Sequence, residues 1–177
     1  MDLRIEKTKR SIINSFLEMR SKKELEKITV KEICEKAQIN KSTFYSHYHD
    51  IYDLSEQLET EVVDSIIEQM SHPEYVIEKP ELFTQELTEG YMSKNTLINI
   101  LFSGSRSHTL VHKIEKSLKE LVFRKYPEYK NDVAKNITLT YCIYGGFYAF
   151  WESREYKDET VIDMIGKLSA KLNMYNL

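Results

Sequence analysis

The sequence predicts an all-α fold, and three observations carry that prediction. Glycine and proline are scarce, 5 and 3 in 177 residues, whereas a sandwich or barrel needs a turn signal every ~8–12 residues. Apolar residues recur at helical spacing in one segment after another. The breaks between those segments carry helix caps rather than hairpin turns. With 41% apolar residues, a chain of this length buries roughly 70% of its unfolded surface and needs neither disulfide nor metal to fold. Cys34 and Cys142 lie far apart inside apolar patterns, which reads as two reduced core thiols.

About nine helices are expected. Ile5, Ile12, Ile13, Phe16 and Leu17 mark the first, from about Arg4 to Arg20. After a polar break over 21–27, Thr29 caps a second helix and Glu32, three residues on, completes a capping box. Ile28 and Ile33 add a hydrophobic staple. This short helix stops near Gln38, and Asn40 caps a third at once, with Ile39 and Phe44 in staple positions. A fourth runs from Ile51 to about Met70 through Leu54, Leu58, Val62 and Ile66, and Pro73 ends it. Residues 73–80 read as a linker, followed by a helix from Pro80 to Glu89 with Gly90 just past its end. Further helices are expected at about 94–103, 108–126, 130–153 and 157–175, with Gly104 and Pro127 between the first pairs. The natural boundary lies near residue 50, giving domains over 1–50 and 51–177.

Charge divides along the same line. The whole chain carries −3, but residues 1–50 hold 11 Lys and Arg against 8 Asp and Glu, and residues 51–177 hold 14 against 20. Such asymmetry hints that the N-terminal part meets an anion. The longest uncharged stretch, Asn136 to Trp151, has 16 residues, short of the ~20 a membrane span needs. Charges from the second residue onward are unlike a signal peptide. The expectation is a cytoplasmic protein with no membrane partner.

Two short helices joined by Gln38-Ile39-Asn40 are the layout of a helix-turn-helix. The third helix presents Lys41, Ser42, Thr43, Tyr45, His47 and Tyr48. One cation, short hydroxyls and aromatic hydroxyls are groups that bond phosphates and base edges without a deep cleft. The N-terminal end of the second helix of such a motif is the part that meets bases. Phe44 and Tyr48, four apart, face inward onto Ile33 and Ile12. An ordinary helical hairpin with a solvated polar face has the same spacing.

The segment from Lys27-Ile28-Thr29-Val30-Lys31-Glu32-Ile33, through Ala37-Gln38-Ile39-Asn40-Lys41-Ser42-Thr43-Phe44-Tyr45-Ser46-His47-Tyr48, to Asp53-Leu54 resembles the N-terminal domain of TetR-family transcriptional regulators. The resemblance covers about residues 8–55. It implies that Thr29 bonds a backbone phosphate, that Lys41, Ser42 and Thr43 enter the major groove, and that Tyr45 and His47 contact phosphates or bases. Two positions depart from the family pattern. Gln38 stands where the family usually has Gly, in a turn that often needs a positive φ, at a cost of about 1 kcal/mol. Ile51 stands where it often has Lys, removing a phosphate contact that His49 partly replaces.

The C-terminal part carries weaker signals. Residues 137–151 are apolar on almost every side, and one chain of this size covers only one of them, so a partner must cover the other. Gly145 and Gly146 would admit a second backbone, and Tyr148, Met164, Leu168 and Leu172 extend the same interface. The resemblance implies that the last two long helices pair with their symmetry mates as a four-helix bundle. It also implies a small-effector pocket, to which Met92, Phe102, Tyr141, Tyr144 and Trp151 are assigned. His108, His112 and Glu115 share one helix face but lack a fourth ligand, and no metal or cofactor is expected. No Gly-x-Ser-x-Gly, phosphate-cradling loop or His-Glu-x-x-His occurs, so no catalysis is expected either. The expectation is a homodimeric regulator on a palindromic duplex, a repressor released by a small molecule. The alternative is a helical module of the same fold that senses a protein partner.

Overall fold

The computed structural model describes residues 3–72 and 74–174, with side chains through residue 172. It is all-helical: ten α-helices and no strand occur among the described residues. Pro73, expected to end the fourth helix, and residue 175, expected to end the last, lie outside the described residues.

The chain divides into two compact units. The first comprises residues up to 62 together with 96–108, and the second comprises 63–95 with the segment from 109 onward. The first unit thus reaches past residue 50. It holds α1 (Leu3–Arg20), α2 (Val30–Ala37), α3 (Lys41–Tyr45) and the N-terminal part of α4 (Ile51–Glu68). Its core is Ile12, Phe16, Leu25, Ile28, Ile33, Phe44 and Leu54, each at most 2% exposed. The reason for the extension is polar as well as apolar. Ile98, Leu101 and Phe102 are buried, and Arg20, itself buried, donates from Nη2 to the Ser103 carbonyl at 2.8 Å. Arg106 donates to Glu59 (Nε–Oε1 2.9 Å) and to Glu56 (2.8 Å), while Ser55 donates to the same Glu59 oxygen at 2.8 Å. Glu59 is fully buried, and a buried carboxylate persists only where it is paired and hydrogen-bonded in this way.

The second unit contains the rest of α4, the single turn α5 (Tyr75–Glu78), α6 (Pro80–Ser93), α8 (Thr109–Lys125), α9 (Val133–Glu152) and α10 (Asp158–Met174). Helix α7 (Asn95–Leu101) starts here and ends in the first unit. Helix α10 packs chiefly on α6 and α9, and α8 packs on α9. The α6–α10 approach is close because Gly166 has no side chain: a Cβ there would lie 2.7 Å from the Glu81 Cα. Two expectations are corrected. Gly90 lies inside α6 rather than past its end, where a Cβ would meet the Ile66 side chain at 2.8 Å. The 73–80 linker contains the α5 turn, which buries Val76.

Candidate functional site

The helix pair α2–α3 is built by local hydrogen bonds at each end. Thr29, extended at φ −119°, accepts from the Glu32 N–H, and the Glu32 carboxylate accepts from the Thr29 N–H at 3.0 Å, a complete capping box. The Lys23 ammonium, 2.7 Å away, and then Thr29 hold the Glu32 carboxyl below its usual range. At the other end Gln38 adopts φ 55°, ψ 45°. Its N–H donates to the Glu35 carbonyl, and the Ile39 N–H donates to the Cys34 carbonyl at 3.0 Å. This is the Schellman pair of bonds, formed around a left-handed residue that is usually glycine. The turn therefore carries the positive φ that Gln38 makes costly.

Asn40 then caps α3. Its Oδ1 accepts from the Thr43 N–H (2.7 Å), the Ser42 hydroxyl (2.7 Å) and the Thr43 hydroxyl (2.8 Å). Both hydroxyl protons are thus spent on the cap. What Ser42 and Thr43 present outward is acceptor lone pairs and a methyl group, and either must rotate to donate. Lys41 is exposed and forms no ion pair among the described residues. Tyr45 is 54% exposed, with its ring edge-on to Phe44 at 5.6 Å. Thr29, Lys41, Ser42, Tyr45 and His49 are exposed, and Thr43 and His47 are half-buried. The His49 N–H donates to Asp53 at 2.8 Å, and Asp50 caps α4 by accepting from Tyr52 and Asp53. Ile51 is buried at the edge of the core.

Tyr48 is corrected. Its ring lies 5.8 Å from that of Phe44, and the residue is 3% exposed. Its hydroxyl is buried without a hydrogen bond. Burial, aided by the charges of Glu61 and Asp53, pushes its pKa up to about 12. It packs the underside of α3, so it belongs with Phe44 in the core and not among surface contacts.

In the second unit the pocket residues expected from sequence do not come together. Met92 is 47% exposed and Tyr141 66%, while Phe102 belongs to the core of the first unit. Tyr144 lies beside Glu115; burial first, and then that carboxylate, raise its pKa. Of the five, Trp151 alone lines a cavity of the second unit, together with Phe83, Leu87, Tyr91, Ile143, Phe147 and their neighbours. The missed signal is the Phe83, Leu87, Tyr91 stripe, four residues apart on α6. Glu115 accepts from Lys119 and Thr140, and no three His, Cys, Asp or Glu side chains among the described residues could hold a metal.

The interface residues separate by face. Nothing lies within 4 Å of a Cβ built on Gly145, whereas one on Gly146 would meet Ile165 at 3.2 Å. Gly146 therefore points into the unit and lines the cavity. Val133, Ile137, Tyr141 and Tyr148 on α9, and Met164 and Leu168 on α10, are 48% or more exposed. Leu172 is half-buried. No helix among the described residues is long and apolar enough to cross a membrane. In comparisons with known proteins, no family model matches this chain and no curated protein matches its sequence.

Proposed function

We propose that the protein is a homodimeric transcriptional regulator that binds a two-fold-related duplex site through α2 and α3, as a repressor that a small molecule releases. The observation that carries this reading is the α3 face. Its backbone is fixed from below by Phe44 and Tyr48 and at its start by Asn40, and it presents Lys41, Ser42, Thr43 and Tyr45 to solvent. Rigid placement of short polar groups and one unpaired cation suits readout in a major groove. Thr29 and Tyr45 are assigned to phosphates, and Lys41 and Thr43 to base edges. Each protomer would read one half-site, with recognition helices about 34–36 Å apart or a multiple of that.

The exposed apolar row on α9 and α10 supports the dimer. Val133, Ile137 and Tyr141 recur every four residues, and Gly145, the next position in the row, leaves open space for a partner. A contiguous apolar surface of this kind marks an association site. The cavity supports an effector. A second reading, the same fold docking a protein partner, draws on the committed hydroxyl protons of Ser42 and Thr43. Titration of the chain against duplex from its own upstream region and against a scrambled duplex separates the two. Preference for the upstream duplex supports regulation, and equal weak binding to both supports a protein partner.

A further inference from the structure

The cavity of the second unit, partly open to solvent, has a volume of about 110 Å³, close in size to an engineered apolar cavity of about 150 Å³ that takes up benzene. Its walls are aromatic and aliphatic, and no charged side chain lines it. Phe147 and Trp151 stack at 6.1 Å, and Tyr91 meets Phe150 edge-on at 6.2 Å, so flat rings already pack well in this neighbourhood. A charged ligand would lose its hydration against these walls without a counter-ion in them.

The polar atoms of the lining narrow the choice further. The Thr84 hydroxyl donates to the Pro80 carbonyl at 2.8 Å and the Thr88 hydroxyl to the Thr84 carbonyl at 2.7 Å, so both protons are spent on the backbone, while Ser169 hydrogen-bonds the Cys142 thiol. Tyr91 differs. The residue is 7% exposed, and no acceptor meets its buried hydroxyl proton, since the Arg154 side chain beside it can only donate. A buried hydroxyl left unmet is costly, and a ligand atom that meets it removes the cost. Burial also raises the Tyr91 pKa, against a smaller opposing pull from Arg154, so the group stays a neutral donor. Arg154 itself is exposed, with its guanidinium 3.8 Å over the Trp151 ring, and is not part of the lining.

We propose that this cavity binds a small uncharged aromatic molecule, a single ring bearing one oxygen that pairs with the Tyr91 hydroxyl. This names the ligand class of the effector and rests on the reading of the second unit as an effector domain. The ring packs between Phe83, Ile143, Phe147 and Trp151, and the oxygen accepts from Tyr91.

The test is calorimetric titration of the full chain, without DNA, using phenol, toluene and benzoate. Phenol is expected to bind, toluene to bind about tenfold more weakly for want of one hydrogen bond, and benzoate not to bind. Tyr91→Phe, which keeps the ring, is expected to bind toluene as the wild type does and to lower phenol affinity to the toluene level. Failure of both phenol and toluene to bind overturns the proposal, as does phenol binding that Tyr91→Phe leaves unchanged. Benzoate binding tighter than phenol and lost in Arg154→Gln overturns it in favour of an aromatic acid. A chain that binds phenol through Tyr91 but prefers no duplex keeps the cavity proposal and loses the regulatory reading. A chain that prefers its upstream duplex and binds no ring does the reverse.

Discussion

Tyr48 shows how one side chain is assigned to the core rather than the surface. Its hydroxyl is buried and meets no partner, so deleting it relieves a cost instead of creating one. Tyr48→Phe is expected to raise stability by up to about 1 kcal/mol in urea unfolding and to leave duplex affinity unchanged. The pH dependence follows from the same burial. Folding raises this pKa from 10 to about 12, so the folded state holds the proton more tightly than the unfolded chain. The corresponding stability is fully present below pH 10 and is lost as pH climbs through 12. The Phe variant should therefore resist alkali better, and an unchanged alkaline midpoint would place the hydroxyl in contact with water. At the surface the opposite logic holds. Lys41 forms no ion pair among the described residues, so its truncation should act on duplex binding and not on folding.

At the scale of elements, the caps were the most legible feature of the sequence. Thr29 with Glu32 and Asn40 with Thr43 form the bonds their spacing predicts, because capping is local and a few residues contain all its partners. The αL turn at Gln38 was legible only through the resemblance, since nothing in the residue itself demands positive φ. Its cost gives a prediction. Gln38→Val should lower stability by about 1–2 kcal/mol in urea, because a β-branched side chain crowds a left-handed backbone. Gln38→Gly should not lower it. Equal effects of the two would mean that the turn relaxes out of the left-handed region. Helix ends set by packing were not legible. Gly90 reads as a terminator, yet α6 continues through it to Ser93, and the missing side chain leaves room for Ile66 to pack there. The cavity was hidden for a similar reason. Tyr91 and Ile143 are 52 residues apart in sequence and become neighbours only when α6 and α9 meet α10.

For the whole molecule, the all-round apolarity of residues 137–151 resolves into two faces. Leu139 and Ile143 are buried within one chain, while Ile137, Tyr141 and Tyr148 are left outside. The charge asymmetry, +3 in residues 1–50 against −6 beyond, places the cationic surplus in the part assigned to an anionic partner. Leu168, 54% exposed on α10, offers a test of the dimer that spares the core. Leu168→Asp should convert dimers to monomers in light scattering while helical circular dichroism is unchanged, since an unpaired charge buried at an interface costs several kcal/mol. A wild-type chain that is monomeric at micromolar concentration would contradict the two-face account. The proposed function turns on sequence-specific duplex recognition by α3. Its most direct measurement is a fluorescence-anisotropy titration of wild type, Lys41→Ala and Tyr45→Phe on upstream and scrambled duplexes at physiological salt. Wild type is expected to bind the upstream duplex more tightly than the scrambled one. Lys41→Ala should lose about 1–3 kcal/mol there and less on the scrambled one, while Tyr45→Phe weakens both alike. Wild-type binding that is equally tight on both duplexes would contradict the proposed function.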